Sequence, residues 1–315
     1  MNLNKTKKIR QQFADSMLEI GQQDKKLVVL VGDISHGILK PYAKKCPTRY
    51  YNIGICEPSI VNLAAGISKS GLNPVVHTIA PFITERAYEQ IKLDFGYQKL
   101  GVNMISIGGS FDYSKLGCSH HCYTDVSLFL HFKNSSIVIP GSNEEFKILF
   151  KKIYKQKNIK YFRIPEYSHN IAFDKKEIVF GKAIKVTNGK NLTIVTTGTQ
   201  LKNAVKVGKM LENKGYTTEI LYYHTLKPFD QTQVKKSVLK TKKLLSIEEL
   251  SSHGGLFGEC IKSIIGIKGI QTEQMAVSDF IHGYGSYEDL CDRAGLNVDN
   301  IYKKSLKLIN KKNKN

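Results

Sequence analysis

The sequence places an acid and an aromatic side chain at two loops where a parallel sheet would expose them. Glu57 directly precedes Pro58 and an apolar run with helical spacing, so it stands at a predicted helix start. Phe82 follows the strand-like residues 74–79 and Pro81, which opens a second predicted helix. Open α/β sheets bind ligands at the carboxyl ends of their strands. We therefore expect Glu57 and Phe82 to line one crevice, where a carboxylate can exchange a proton and an aromatic face can stack on a planar ligand.

Each of these residues also has a simpler interpretation. A carboxylate in the first turn of a helix, such as Glu57, is stabilised by the helix dipole. An aromatic residue after a helix-starting proline, such as Phe82, is an ordinary core residue. A loop histidine such as His120 often makes only structural hydrogen bonds, and an arginine such as Arg163 often forms a surface ion pair. Residue type and spacing leave these alternatives open.

The surrounding chain alternates predicted strands and helices in two units. The first unit has an amphipathic helix around residues 9–20, strands at 27–31, 75–79, 101–107, 136–139 and 160–164, and helices after Glu57, at 82–95 and after the capping sequence at 142–145. The second unit has strands at 192–196, 217–222 and 243–247, helices at 201–214 and 256–265, and a turn-rich loop at 224–230. This alternation predicts two doubly wound α/β domains with mainly parallel sheets. We place them at 1–168 and 189–315, with a linker at 169–188 and a basic tail at the end.

The composition argues against several classes of protein. The chain has 315 residues, is 41% hydrophobic and contains no apolar run of the ~18 residues that a membrane span needs. It shows no apolar signal-peptide core, so we expect a cytoplasmic protein that does not bind a membrane. The net charge is +20, but no basic-aromatic recognition motif is present, which predicts no nucleic-acid partner and leaves an acidic protein partner open. The six cysteines are scattered, and Cys118 and Cys122 lack a second pair, so we predict free thiols and no bound metal.

The order of several short motifs resembles the transketolase family. The motifs are residues 53–58 (IGICEP), 64–66 (AAG), 81–82 (PF), 86–90 (RAYEQ), 119–121 (SHH), 227–230 (KPFD), 248–249 (EE), 253–255 (HGG) and 285–290 (GSYEDL). Each motif is weak by itself, but together they cover nearly the whole chain in the family's order. They are most similar to the C-terminal section of a transketolase, in which a pyrimidine-binding domain precedes the C-terminal domain.

The resemblance implies thiamine diphosphate as the cofactor. It assigns Glu57 to the catalytic carboxylate that bonds the pyrimidine ring nitrogen and favours the imino form, which removes the thiazolium C2 proton. It assigns Phe82 to the aromatic residue that stacks on the pyrimidine. It also implies that Ile79 lies in the ring pocket and that Asp33, after the first strand, lies near the cofactor.

The resemblance implies substrate contacts as well. His120 matches a catalytic histidine that moves protons to and from the substrate oxygen. His121 adjoins it in the same motif. Arg163 resembles an arginine that binds a substrate phosphate or carboxylate. His77 and Arg86 are further candidates near the same crevice.

The sequence departs from the phosphosugar transketolases at several positions. Leu116 stands where these enzymes have an aspartate four residues before the histidine matched by His120. The Gly108–Gly109 pair stands where they have a substrate-binding histidine, and Ile79 and Glu85 replace aromatic residues of the ring pocket. We therefore expect a sugar-phosphate or modified-sugar substrate other than an ordinary pentose phosphate.

One part of the family's machinery is missing. The family binds Mg²⁺ and the diphosphate through a Gly-Asp-Gly motif and a later asparagine on a separate domain, whereas here Gly32-Asp33 is followed by Ile34. The resemblance therefore implies the small subunit of a two-subunit transketolase-like enzyme, with a diphosphate-domain partner that binds Mg²⁺ in an α2β2 assembly. Such an enzyme transfers a two-carbon ketol or related acyl-anion unit between carbonyl substrates. The β subunit of a 2-oxoacid dehydrogenase E1, a non-catalytic structural subunit and a nucleic-acid-binding subunit remain alternatives.

Overall fold

The computed structural model describes residues 8–311. Residues 1–7, at the start of the predicted N-terminal segment, and residues 312–315, at the end of the basic tail, lie outside the described residues. The strands are β1 Leu27–Val31, β2 Tyr50–Asn52, β3 Asn73–Ile79, β4 Val102–Ile107, β5 Ser135–Val138, β6 Ile159–Ile164, β7 Ile184–Lys185, β8 Leu192–Thr196, β9 Thr218–Tyr222, β10 Thr225–Lys227, β11 Lys243–Ser251 and β12 Gln271–Val277. The helices are α1 Ile9–Gln23, α2 His36–Lys45, α3 Glu57–Lys69, α4 Ala80–Thr84, α5 Tyr88–Gln90, α6 Asp125–Leu130, α7 Asn143–Ile153, α8 Leu201–Glu212, α9 Gln231–Thr241, α10 Leu256–Ile264, α11 Tyr287–Arg293 and α12 Val298–Asn310.

The strands form two sheets that are parallel except at one edge each. The first sheet has the order β10-β5-β6-β4-β3-β1-β2, and the second has the order β12-β11-β8-β9-β7. Only β10 and β7 pair in the antiparallel sense among the described strands. The prediction of two α/β domains with mainly parallel sheets is therefore confirmed.

The apolar side chains of each central strand divide between two layers of core. In β1, Leu27, Val29 and Val31 pack in one cluster, whereas Val28 and Leu30 pack in the other. Successive side chains of a strand point to opposite faces, so a continuously apolar strand must be covered by helices on both sides. The helix α1 covers one face with its buried residues Phe13 and Met17, as its apolar spacing predicts.

Two local predictions are wrong. The helix predicted over residues 82–95 is interrupted: α4 ends at Thr84, α5 begins at Tyr88, and a wider π-helical segment runs over Ile91–Tyr97. The turn-rich loop predicted at 224–230 contains β10, which pairs with β5 of the first sheet. Three residues are too few to show an alternating pattern, so this strand has no clear signal in the sequence.

The strand β10 and a buried hydrogen-bond cluster join the two halves of the chain. Glu145, near the start of α7, accepts hydrogen bonds from the Tyr222 hydroxyl at 2.7 Å and from His169 Nε2 at 2.8 Å. Tyr222 belongs to β9 of the second sheet, and His169 lies in the connecting segment after β6. A buried carboxylate needs such partners, so this cluster fixes the second domain against the first sheet.

Candidate active site

The parallel pairing of the first sheet brings the carboxyl ends of its strands to the same end of the sheet. Asp33 follows β1, Glu57 begins α3 after β2, and Phe82 follows β3. The chain leaving β4 leads through a long loop to His120. The residues proposed from the sequence therefore come from separate loops at one edge of one sheet, where α/β sheets bind ligands.

Glu57 is a buried carboxylate with two hydrogen-bond partners. Its residue is only 1% exposed. The Arg86 guanidinium donates to Oε2 at 2.9 Å, and the Thr78 hydroxyl donates to Oε1 at 3.4 Å. Pro58 in the first turn of α3 fixes the start of the helix without losing a helical hydrogen bond. A charged group so deeply buried requires a partner, and Arg86 supplies it.

Arg86 connects the carboxylate to the aromatic side of the crevice. Its guanidinium carbon lies 4.2 Å from the centre of the Phe82 ring, a cation–π contact. The Phe82 ring in turn lies 5.1 Å from the His120 ring in an edge-to-face arrangement. Glu57, Arg86, Phe82 and His120 thus form one continuous row of contacts along the crevice.

His120 is suited to accept a proton from a neutral ligand. Burial and the nearby positive charge of Arg86 both lower the pKa of the imidazole below its usual value. Ser119 Oγ lies 3.0 Å from its Nδ1 atom and orients the ring. A neutral imidazole with one free nitrogen is the usual form of a general base near pH 7.

His77 and His121 are both buried. His77 lies under α1, where its Nε2 atom is 2.7 Å from Ser35 Oγ and its Nδ1 atom is 2.8 Å from the Ile105 carbonyl oxygen. Burial lowers the pKa of His77 to about 3, so its ring is neutral. His121 is also buried, with its ring 5.5 Å from the Phe111 ring. Both rings are buried, and the expectation that these two residues bind substrate stays a prediction.

Arg163 is held within the protein. Its Nε atom donates to Asp125 Oδ2 at 2.8 Å, and its NH2 group donates to Ser110 Oγ at 2.7 Å. Burial alone would lower the pKa of the guanidinium, but the Asp125 carboxylate raises it, so the charge persists. This arginine is buried and paired with Asp125, and its contact with a substrate anion stays a prediction.

Gly108 and Gly109 leave space for the side chains of Tyr113 and Arg163. A Cβ atom on Gly109 would lie 2.3 Å from the Arg163 guanidinium carbon, and one on Gly108 would lie 2.0 Å from Tyr113 Cε2. Gly108 also has φ +79°, a backbone conformation that residues with a side chain rarely adopt. Tyr113 therefore occupies the space that Gly108 leaves open, and its ring lies 6.1 Å from that of His120.

The remaining predicted residues lie around this edge of the sheet. Asp33 is exposed, and its Oδ1 atom accepts a hydrogen bond from Asn52 at 3.0 Å. Ile79 is partly buried at the last position of β3. Leu116 is 52% exposed in a short 3₁₀ turn. Asp33 and Ile79 thus lie near the carboxyl ends of the neighbouring strands β1 and β3, and their contacts with the cofactor stay predictions.

Sequence reasoning missed a cavity of about 330 Å³ at the starts of α1 and α2. Lys8, Arg10, His36 and Glu166 line it. Lys8 forms an ion pair with Glu166, and Arg10 Nε donates to Ser35 Oγ at 2.8 Å. Burial raises the pKa of Tyr113, and the positive charge of Arg10 opposes that rise. Tyr113 therefore lies within electrostatic reach of Arg10. The sequence gives no signal for this cavity, since Lys8 and Arg10 look like the polar face of an amphipathic helix.

The described part of the chain has neither a cluster of metal ligands nor a helix suited to a membrane. Within residues 8–311, no group of three or more histidine, cysteine or acidic side chains is arranged to hold a metal ion. Cys118 is exposed, whereas Cys122 is buried. No helix in the same range combines the length and the apolar character needed to cross a membrane.

A two-domain α/β chain with an acid, an aromatic ring and an imidazole at the carboxyl edge of its first sheet defines a recognisable class of protein. The family model "Transketolase, pyrimidine binding domain" matches residues 5–170, and "Transketolase, C-terminal domain" matches residues 181–301. The chain belongs to the transketolase family.

Individual relatives place the chain within that family. It is 28% identical to one of the subunits of an apulose-4-phosphate transketolase of Phocaeicola vulgatus, over 96% of this chain and 97% of that protein. It is 30% identical to a 1-deoxy-D-xylulose-5-phosphate synthase of Syntrophomonas wolfei, over 92% of this chain but only 46% of that protein. A solved structure described as a split-gene transketolase, inactive β4 tetramer, has a TM-score of 0.86 and 26% identity, covering 96% of this chain and 98% of that one. The chain thus has the size of a transketolase subunit and about half the length of the single-chain synthase.

Proposed function

We propose that this chain is the small subunit of a two-subunit, thiamine-diphosphate-dependent transketolase that transfers a two-carbon ketol unit between carbonyl substrates. The observation that carries the proposal is the continuous row Glu57–Arg86–Phe82–His120 at the carboxyl edge of the first sheet. The relatives named as transketolase subunits support it, because they match nearly the whole chain. They also favour it over a 2-oxoacid dehydrogenase E1 subunit.

The donor set of the crevice fits an aminopyrimidine ring. Such a ring needs an acid at one ring nitrogen, an apolar or aromatic face and few competing charges. Glu57 is buried and bonded mainly to Arg86, whose side chain is 46% exposed and therefore free to move into solvent. Phe82 is only partly buried, so part of its ring can contact a ligand. When bound, thiamine diphosphate supplies a nucleophilic carbon that attacks carbonyl groups.

The residues of this chain would then have separate roles. Glu57 holds a proton on the ring nitrogen, where the buried setting keeps water away from the shared hydrogen bond. Phe82 fixes the plane of the ring by stacking. His120, kept neutral by burial and by the charge of Arg86, takes or returns a proton at the substrate oxygen.

The substrate anion is assigned to the cavity lined by Lys8, Arg10 and His36. Arg163, which the family pattern suggested, is already bonded to Asp125 and Ser110. Lys8 and Arg10 carry positive charge at this cavity of about 330 Å³, where Glu166 pairs with Lys8. Tyr113, whose hydroxyl senses the charge of Arg10, lies 6.1 Å from the His120 ring and links the cavity to the crevice. Exposed Leu116 and the ring of Tyr113 provide apolar surface where related enzymes recognise hydroxyl groups, so we expect a modified or branched sugar phosphate to be preferred.

The magnesium ion and the diphosphate are assigned to a partner subunit. No metal-binding group is present among the described residues, and none of the crevice residues is a typical ligand set for Mg²⁺. The solved relative consists of β chains and is described as inactive, which supports the need for a second kind of subunit. We propose an active assembly with two copies of each subunit.

Two experiments test the proposal. Calorimetry should show weak thiamine diphosphate binding to the isolated chain with Mg²⁺, and tight binding after co-expression with a diphosphate-domain subunit. The reconstituted enzyme should transfer a two-carbon unit to a panel of aldose phosphates and modified sugars, with xylulose 5-phosphate as the reference donor. Tight magnesium-dependent binding by the isolated chain would contradict the split-site proposal. A kcat/KM of roughly 10⁴ M⁻¹s⁻¹ or more with xylulose 5-phosphate and ribose 5-phosphate would instead indicate an ordinary transketolase.

A further inference from the structure

A second cavity lies at the amino ends of the parallel strands of the first sheet, whereas the crevice lies at their carboxyl ends. It has a volume of about 300 Å³ and is bounded by the amino ends of β3, β4 and β6. Because the strands are parallel, this end of the sheet is separated from the crevice by the full length of the strands. We call it the Lys160 cavity; its functional lining residues are Lys69, Lys99, Asn103, Lys157 and Lys160.

The floor of the Lys160 cavity contains a buried acceptor without a partner. Asn103 is 1% exposed, and its Nδ2 group donates to the carbonyl oxygens of Pro74 at 3.2 Å and Tyr154 at 3.1 Å. These two bonds fix the orientation of the amide, because its oxygen cannot donate to a carbonyl group. The Oδ1 atom then has no hydrogen-bond partner. Buried polar atoms are normally paired, so this oxygen indicates a missing hydrogen-bond donor.

Lys160 lies beside Asn103 on the adjacent strand. The two residues are paired in the β4–β6 register, so their side chains share one face of the sheet. Lys160 donates to the carbonyl oxygens of Gln156 and Asn158, which accounts for two of its three ammonium hydrogens. Burial lowers the pKa of Lys160 to about 7, so a nearby negative charge would favour its protonated form.

The mouth of the cavity carries further positive charge. Lys69, Lys99 and Lys157 are exposed around it, and none of the residues that line the cavity is acidic. Lysines concentrated at one cleft attract anions and raise their local concentration. The cavity volume is at the low end of the usual range for ligand sites, which suits a small metabolite rather than a nucleotide.

We propose that the Lys160 cavity binds a small polyhydroxylated phosphate monoester. A ligand hydroxyl donates to Asn103 Oδ1 at the floor, and the phosphate lies among Lys69, Lys157 and Lys160. This combination explains both the unpaired acceptor and the one-sided charge, whereas a neutral polyol would leave the charge of the lysines unmatched. The inference does not depend on the proposed transketolase activity, because the cavity shares no residue with the crevice.

The first test measures binding of glycerol 3-phosphate to the full chain by calorimetry. The background carries Lys8→Gln and Arg10→Gln, which removes the lysine and arginine charges that could bind an anion in the other cavity. Adding Lys69→Gln and Lys157→Gln should weaken binding by about tenfold or more, because two charge-assisted contacts are lost. The matched control pair, Lys133→Gln and Lys268→Gln, removes two exposed lysines elsewhere and should leave affinity unchanged. Equal affinity in the rim variant and the control, or no binding in any of them, would overturn the proposal.

The second test examines the hydroxyl contact. Propyl phosphate has the same charge as glycerol 3-phosphate but no hydroxyl group, so it should bind about tenfold more weakly, the factor expected for a lost hydrogen bond to a buried acceptor. Equal binding of the two compounds would contradict the role of Asn103. The Asn103→Leu variant should abolish the preference, and the wild-type comparison of the two compounds stands even if that variant does not fold. Inorganic phosphate binding as tightly as glycerol 3-phosphate would indicate a site for phosphate alone and would refute the proposed ligand.

Discussion

The substitution Glu57→Gln separates the proposed chemical role of this residue from a structural one. Glutamine keeps the length and shape of the side chain, and its amide oxygen can still accept the hydrogen bond from Arg86 that Glu57 Oε2 accepts at 2.9 Å. Its amide group can face the Thr78 hydroxyl, which lies 3.4 Å from Oε1. The change therefore removes the charge and the ability to share an acidic proton while preserving most contacts.

The expected loss of folding stability is much smaller than the expected loss of catalytic rate. The Arg86 side chain is 46% exposed and stays solvated when its partner becomes neutral, so the lost ion pair should cost no more than about 1 kcal/mol. Removing a buried negative charge offsets part of that cost. A positioned acid or base contributes about 10²–10⁴ in rate, which corresponds to roughly 3–5 kcal/mol of activation free energy. The chemical effect should therefore exceed the folding effect several-fold.

The assay is exchange of the cofactor C2 proton into deuterated water in the reconstituted enzyme, followed by quenched NMR. Glu57→Gln should slow exchange by at least about 100-fold, whereas urea unfolding should shift by no more than about 1 kcal/mol. Glu89→Gln, which removes an exposed carboxylate on α5, is the matched control and should change neither quantity. Wild-type exchange in a folded, cofactor-bound Glu57→Gln enzyme would refute the assignment. A loss of several kcal/mol in stability would show that Glu57 is mainly structural.

Three further substitutions test the surrounding structure. Phe82→Ala should weaken cofactor binding by roughly 2- to 10-fold, the loss expected for one stacked aromatic ring, and unchanged affinity in a fluorescence titration would exclude stacking. Asp112→Asn should flatten the pH dependence of urea unfolding: burial raises the pKa of Asp112 to about 8. Between roughly pH 4 and 8 the folded wild type keeps a proton on Asp112 that the unfolded chain releases, so its stability falls as the pH rises. An unchanged slope of unfolding free energy against pH in the variant would contradict this. Gly109→Ala should cost about 1–3 kcal/mol of unfolding free energy, because its Cβ would lie 2.3 Å from the Arg163 guanidinium carbon. Gly66→Ala has nothing within 4 Å and should not destabilise the chain, so equal stability of the two glycine variants would refute the steric argument.

Local sequence signals are sufficient to predict the fold class and the residue at which α3 begins. A continuously apolar strand such as β1 is stable only between two layers of helices, so its five consecutive apolar residues already indicate a parallel sheet, and all five are buried in the structure. Glu57 before Pro58 marks a helix start for local steric reasons, and the structure begins α3 at that residue. These signals depend on residues close together in the chain, which is why they could be predicted.

Tertiary contacts, in contrast, determine which polar side chains remain available to a ligand. Arg163 and His77 are chemically able to bind an anion or move a proton, but their partners Asp125 and Ser35 lie 38 and 42 residues away in the chain. The cavity at Arg10 and the one at Lys160 likewise arise where segments distant in sequence meet. The free energy of a buried polar group depends on its partners, and a local sequence pattern does not contain partners that lie far away in the chain.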